Sequence, residues 1–311
     1  MIDDVTFREK YAPNDLIVVM ACTGDEFPFT TEQVSYAAKR CKQADIEFVH
    51  ITPDMGFHSD SWLSLRHFYN LKGTCGSKAF PKTCSDRLKI QPIYRFLEHY
   101  LGKKYGVRVG RKTGFKEFAA RYGKIDMIVG ISKGEETRTT DASDSTQAWM
   151  RSSIEMKYPL IDLQWDREAC QTYLHSKTYL FKESELDGVK YTHKQGHPLH
   201  IAPSNCILCP WANLAEIEYL RRFFPVDLQD WIRIEAVKIK KNQHMDSVEV
   251  IVTDKKTKLE STKIMNKNLG VFGLKKLPEI IAEAQEKYKD WTDKMIEDYR
   301  YSHGHCVKSK F

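Results

Sequence analysis

Two adjacent carboxylates, Asp25 and Glu26, follow directly on Thr23 and Gly24, and Phe27, Pro28 and Phe29 come next. Paired acids suit reactions that build positive charge. In glycosidic cleavage the sugar passes through an oxocarbenium-like state, which one carboxylate stabilises while a second activates water. Asp54, beside Pro53 and Gly56, and Glu135, beside Gly134, are further candidate acids for one crevice. Phe27, Phe29 and Phe57 offer faces on which a base can stack. Cys22, Thr23 and Gly24 would line the turn, and Arg87, Lys89 and Arg138 would make charged contacts to substrate. The same residues have plainer uses. Asp25 or Glu26 can cap a helix, Phe27 and Phe29 can be core, Asp54 can be a turn residue, and Glu135 can pair with Arg138.

A second constellation is thiol chemistry. Cys206 and Cys209 stand two residues apart between Pro203 and Pro210, a tight turn that can present two thiolates to one metal. Cys75 and Cys84 flank a basic loop and would complete four ligands. A four-thiolate tetrahedron suits a structural zinc or an iron–sulfur cluster. His193, His197 and His200 are alternates, and two buried cysteines in a turn are the plainer reading.

These side chains need elements to hold them. The apolar run over 16–22 reads as a buried strand that breaks at Thr23 and Gly24, with Thr30 or Thr31 capping a helix over 31–43. A strand is expected over 46–52, helices over 61–71 and 91–102, the latter opened by Pro92, and a short helix over 115–122. Another strand is expected over 125–131, a mobile polar loop over 132–153, a strand over 158–162 and a helix over 166–175. A loop over 181–201 and a helix over 213–224 follow. Alternating apolar strands and helices predict an α/β fold, a doubly wound, mainly parallel sheet over 1–225. Residues 226–311 read as a basic C-terminal α/β extension, with a lysine-rich stretch over 232–276, a strand at 248–253 and a long helix over 278–299.

Four stretches fall in a telling order. They are Thr83 to Pro92 followed by Arg95, Phe96 and Leu97; Gly130, Ile131, Ser132, Lys133, Gly134, Glu135, Glu136, Thr137 and Arg138; Tyr158, Pro159, Leu160 and Ile161 before Trp165, Asp166 and Arg167; and Pro203 to Pro210. Together they resemble the phosphoadenosine-phosphosulfate-reductase-like branch of the adenine nucleotide alpha hydrolase (PP-loop) superfamily, over about residues 15–224. The resemblance implies that superfamily's sheet and an ATP- or phosphosulfate-dependent adenylation, sulfur transfer or reduction, with Mg-ATP held through Asp25 or Asp54. The first loop departs from the family's pattern. Where the family holds its anion with a serine- and glycine-rich turn, this chain has Ala21, Cys22, Thr23, Gly24, Asp25 and Glu26. Two like charges about 4 Å apart cost on the order of 4 kcal/mol at an effective dielectric near 20, so the rebuilt loop disfavours polyphosphate unless a metal bridges. Cys306 is a poor counterpart of the family's reductase cysteine.

Composition sets the outer limits. A chain of 311 residues with 41% hydrophobic and 12% aromatic residues can build a large globular core. Its charge of +6 and isoelectric point near 8.7 permit an anionic partner such as DNA. Arg66, Lys72, Lys78, Lys82, Arg87, Lys89, Arg108, Arg111 and Lys112, interleaved with Trp62, Phe68, Tyr69 and Phe80, would suit a nucleic-acid track or simply solvated faces. No signal peptide and no run near 20 apolar residues is present, which excludes a membrane span by composition and predicts a cytoplasmic chain with reduced thiols. The leading expectation is hydrolysis of an N-glycosidic bond, or another modification at a base, in a nucleoside unit of DNA. Such a role would suit conflict between bacteria and phages. The alternatives are the ATP- or phosphosulfate-dependent chemistry above and a non-catalytic nucleic-acid-binding module.

Overall fold

The structure is a computed structural model and describes residues 4–78, 83–176, 183–186, 189–192, 206–242, 248–253, 260–265 and 269–302. In chain order the elements are α1 (Val5–Tyr11), β1 (Ile17–Ala21), α2 (Pro28–Gln43), β2 (Glu47–Ile51), α3 (Leu65–Lys72), α4 (Gln91–Tyr105), α5 (Thr113–Tyr122), β3 (Ile125–Ile128), α6 (Ala148–Ser153), β4 (Ile154–Lys157), α7 (Pro159–Asp162), α8 (Arg167–Ser176), β5 (Glu183–Leu186), β6 (Val189–Thr192), α9 (Leu214–Phe223), α10 (Pro225–Asn242), β7 (Val248–Thr253), β8 (Glu260–Met265), α11 (Leu277–Lys287) and α12 (Asp293–Ser302). Short 3₁₀ turns lie at Pro53–Met55, Asp60–Trp62, Glu136–Arg138 and Ala142–Asp144, and a π turn at Asp86–Ile90 leads into α4. The fold is mixed α and β. No described helix is long and apolar enough to cross a membrane.

The chain divides into two compact units. One comprises Met1–Ser64, Thr83–Cys206 and Tyr301–Phe311, and the other Leu65–Lys82 and Ile207–Arg300. In the first, β1 pairs in parallel with β2, Ile17 opposite Glu47 and Ala21 opposite Ile51. Parallel neighbours need a crossover, and α2 supplies it. β3 pairs in parallel with β4, Ile125 opposite Ile154. These are two separate two-stranded sheets, so the single doubly wound sheet expected from the strand–helix alternation is not joined by backbone pairing among the described residues. Both pairs share one core, in which Ala21, Ile51 and Ile154 are buried with Phe96, Leu97, Leu101 and Phe115 of α4 and α5. In the second unit Leu65 and Tyr69 of α3 are buried, as are Ile217, Leu220, Trp231, Ile234 and Leu277. The Glu235 carboxylate of α10, 2% exposed, accepts the Val271 and Leu277 amides at 2.8 and 2.7 Å and so ties down the backbone before α11.

Several boundaries differ from expectation, each for a local reason. Residues 5–11 are helical, with Asp4 capping the Phe7 amide at 2.9 Å. α2 begins at Pro28, whose fixed φ suits a first helical position, so neither Thr30 nor Thr31 is its cap. The expected loop over 132–153 carries two 3₁₀ turns and α6, and Ala142 within it is core. The strand expected at 158–162 lies earlier, at Ile154–Lys157, because Pro159 has no amide to donate to a ladder and instead opens α7. The long C-terminal helix is two helices, parted near Trp291. Part of the expected loop over 181–201 is the antiparallel β5–β6 hairpin. His193, His197, His200, Lys82, Phe80 and Cys306 lie outside the described residues.

Candidate functional site

The 22–26 turn leaves the carboxyl end of β1. Cys22 still belongs to the ladder, its amide reaching the Ile51 carbonyl at 2.9 Å. Gly24 then takes φ +74°, a conformation that favours glycine. A Cβ there would also lie 2.2 Å from the Ser64 Cβ, so both backbone angle and space demand glycine. The Gly24 amide donates to the Cys22 Sγ at 3.2 Å. That amide is therefore engaged inside the turn.

A chain of side-chain hydrogen bonds runs through this turn. The Cys206 thiol donates to Thr23 Oγ1 at 3.1 Å, and the Thr23 hydroxyl donates to Glu26 Oε1 at 3.0 Å. Glu26 and Cys206 also form an isolated antiparallel bridge. Burial, reinforced by the Glu26 carboxylate, pushes the Cys206 thiol well above its usual range, which keeps it protonated and able to donate. Cys22 is raised in the same way, by burial first and by Glu26 and Asp25 after it. Lys89 Nζ stands 4.0 Å from Glu26 Oε1. Such a pair is worth about 4 kcal/mol at an effective dielectric near 20, less what the part-exposed Lys89 loses to solvent screening.

Neither acid of the pair is turned out to water. Asp25 is 7% exposed, and the Glu26 side chain is 6% exposed. Glu26 Oε2 is buried and has no hydrogen-bond partner among the described residues. A bare buried acceptor costs about 1–3 kcal/mol, so this oxygen calls for a functional account. His58, 5% exposed, is a second such group. Its ring nitrogen Nε2 lies 2.9 Å from the Cys22 carbonyl oxygen, and its Nδ1 is buried without a partner among the described residues. His50, on β2, is held below the usual imidazole range by burial, against the opposing pull of Glu26.

The structure thus brings together Cys22, Thr23, Gly24, Glu26, Lys89 and Cys206. Other expected site residues have different surroundings. Asp54 is exposed in its 3₁₀ turn, and the Thr52 hydroxyl and its own amide hold its carboxyl below the usual range. That is a turn residue, as the neighbouring proline and glycine allow. Phe27 is 1% exposed and its ring stacks on Phe29 at 5.1 Å, which makes it packing and not an open platform. Phe57 packs edge-on against Phe96 and His99, both at 5.5 Å. Arg87 is half-exposed and bonds Gln91 at 3.3 Å. Glu135 accepts from Ser132 at 3.1 Å and pairs with Arg138 at 3.0 Å and Arg167 at 3.4 Å, a cluster in the segment after β3.

The four expected metal ligands are placed as follows. Cys84 and Cys206 belong to the first unit, and Cys84 is near enough to Cys206 to raise its thiol further. Cys75 and Cys209 belong to the second. The Cys75 thiol, pushed up to about 12 by burial, donates to the Gly76 carbonyl at 3.1 Å. Among the described residues no group of three or more His, Cys, Asp and Glu side chains is placed to hold a metal ion. Cys206 and Cys75 each donate to an oxygen within their own unit. The expected basic track is also partly consumed. Arg66 pairs with Asp227 and Asp230 at 2.6 and 3.1 Å, Lys112 with Glu98 at 3.2 Å, and Trp62 and Tyr69 are buried.

His58 and the hydrogen-bonding role of Cys206 are what reading the sequence missed. His58 sits in an unpatterned stretch after β2, and nothing around it marks it. No protein-family model, no curated protein and no solved structure matches the chain.

Proposed function

We propose that the chain hydrolyses an N-glycosidic bond in a nucleoside unit of DNA, with Glu26 as the charge-stabilising carboxylate. One observation carries this reading: Glu26 is buried, oriented through Thr23 and Cys206 by its Oε1, and left with Oε2 unpartnered among the described residues. An oriented carboxylate in a low-dielectric site is suited to a cationic transition state. The C1′–N bond breaks with its electron pair passing to the base, which takes up a proton from solvent, the proton later left on Asp25 returning to solvent. The sugar becomes oxocarbenium-like against Glu26. A water then adds to C1′, and Asp25 takes its proton. The products are a free base and an abasic site. In this reading the β1–β2 and β3–β4 pairs are halves of one doubly wound sheet, and the site lies at its carboxyl edge, the usual place for such sites.

The test is DNA, native and base-modified, incubated with the protein. Abasic sites are counted with an aldehyde-reactive probe and the released base is identified by mass spectrometry. Loss of one preorganised group that stabilises transition-state charge typically costs about 10²–10³-fold, so Glu26→Gln is expected to lose at least about 100-fold. DNA left intact by the wild-type chain at every substrate tried overturns the proposal.

Lys89 favours a second reading. Beside Glu26 it offsets the negative charge of the turn, and Glu135, Arg138 and Arg167 together carry a net positive charge. Both would tolerate an ATP or phosphosulfate anion, with Mg²⁺ at Asp25. Conversion of ATP to AMP and pyrophosphate would establish that reading in place of the first.

A further inference from the structure

We propose that His58 holds the substrate: its Nδ1 accepts a hydrogen bond from an N–H or O–H of the nucleoside unit seated on the 22–26 turn. This rests on the reading of Glu26 given above. The tautomer follows from the partner. A carbonyl oxygen only accepts, so the Nε2 that meets the Cys22 carbonyl at 2.9 Å carries the ring hydrogen. In the neutral ring Nδ1 then bears a bare lone pair, and ring geometry directs it away from Cys22. It is buried, and no described residue donates to it.

Glu26 Oε2 is the second unpartnered acceptor associated with this turn. Elsewhere in the turn the Gly24 amide meets the Cys22 thiol, and the Thr23 hydroxyl links Cys206 to Glu26. The two bare acceptors call for donors. Buried polar atoms left bare are uncommon in folded chains, and a ligand that brings donors satisfies them. A phosphate brings acceptors and satisfies neither atom. The exocyclic amine of a base or a hydroxyl of the sugar satisfies His58. Both atoms are closed to water, so seating the ligand requires a covering segment to move.

His58→Gln separates the two ends of the ring. Its carboxamide nitrogen replaces Nε2 and keeps the bond to the Cys22 carbonyl, while the acceptor at Nδ1 is lost. The wild-type chain, with ¹⁵N-labelled histidine, is titrated with each of the four 2′-deoxynucleoside 5′-monophosphates, and steady-state cleavage of DNA is measured alongside. At least one nucleotide is expected to move the His58 Nδ1 resonance. His58→Gln is expected to raise the KM for DNA about 10-fold, with a smaller change in kcat. Repeating the titration with an analogue of the binding nucleotide that lacks its exocyclic amine, and with one that lacks its 3′-hydroxyl, tells which group donates. An Nδ1 resonance that no nucleotide moves overturns the inference, and the wild-type titration decides even if His58→Gln does not fold. If His58→Gln cleaves like wild type while Glu26→Gln does not, the inference fails and the glycosidic reading stands. If Glu26→Gln is also fully active, that reading fails with it.

Discussion

Thr23 stands between a protonated thiol and a carboxylate, and its hydroxyl serves both at once: it accepts from Cys206 at 3.1 Å and donates to Glu26 at 3.0 Å. It is also 1% exposed, so water cannot substitute for it. Thr23→Val preserves the side chain's volume and removes both bonds. It leaves a buried carboxylate oxygen without its donor, a loss of about 1–3 kcal/mol. Urea unfolding is expected to show that loss, and Thr23→Ser, which restores the hydroxyl, is expected to recover most of it. A Thr23→Val protein as stable as wild type would mean that the chain of bonds does not orient Glu26. The members of this chain differ in how readable they were. Thr23 and Glu26 are three residues apart beside a glycine, and local pattern singles them out. Cys206 lies 183 residues from Thr23, and its spacing to Cys209 speaks of metal binding. Only tertiary structure shows that its thiol is spent on a hydroxyl. His58 gave no signal because a single histidine after a strand has no periodicity to betray its burial.

At the scale of elements, the helix–loop junction around Glu218 shows what holds the second unit. The Glu218 side chain of α9 is fully buried and accepts from Arg221 at 2.8 Å and Arg222 at 2.6 Å. Arg222 extends onward to the Tyr288 and Trp291 carbonyls at 2.9 and 2.7 Å, where the backbone turns between α11 and α12. Burial by itself would raise the Glu218 carboxyl, but the two guanidinium groups outweigh it and hold it below the usual range. The sign follows. A carboxyl depressed in the folded chain adds stability above its unfolded value, near pH 4.3, and that stability is lost as pH falls through the lower, folded value. Acid unfolding of the wild-type chain is therefore expected to steepen below about pH 4. Glu218→Gln is expected to cost about 1–3 kcal/mol at pH 7, since it removes the charge from a fully buried acceptor of two guanidinium groups while Arg222 keeps Asp293 and two carbonyls, and to flatten that acid limb. Unchanged acid unfolding in the variant would remove Glu218 from this role. The same region tested sequence reading. The helix expected over 213–224 is present as α9, and the structure opens it with an Asn213–Glu216 capping box. The break between α11 and α12 was invisible because the charged face continues through it. The apolar runs of β1 and β2 were equally clear, whereas β4 was misplaced by four residues because a proline that opens α7 reads, in sequence, like part of a strand.

At the scale of the whole molecule, the question is whether a net charge of +6 is available to DNA. Counterion release makes affinity fall with salt by a slope of about −0.9 for each phosphate neutralised. Part of the cationic surface expected to form a track is already neutralised by intramolecular acids, Arg66 by Asp227 and Asp230 and Lys112 by Glu98, while Arg108 lies 3.3 Å from Glu117. A phosphate must compete with each of those carboxylates, so pairing lowers the number of contacts that the formal charge implies. Arg87 is the weakest of these pairs, 4.0 Å from Asp86 with both side chains half-exposed, and Arg108 keeps a side chain 77% exposed despite Glu117. Both are free to turn toward an anion at small cost, because exposed pairs are worth about 0–1 kcal/mol. The expected plot of log affinity for duplex DNA against log salt is therefore shallow, with a slope of roughly −2 to −4, corresponding to a few phosphates. Arg87→Ala and Arg108→Ala should each reduce it by about 1, and Arg66→Ala should leave it unchanged. Fluorescence anisotropy across 50–300 mM salt measures all four proteins. Affinity that does not respond to salt in the wild-type chain would exclude phosphate contact, and with it DNA as the carrier of the nucleoside unit; a free nucleoside would then be the substrate to try against Glu26.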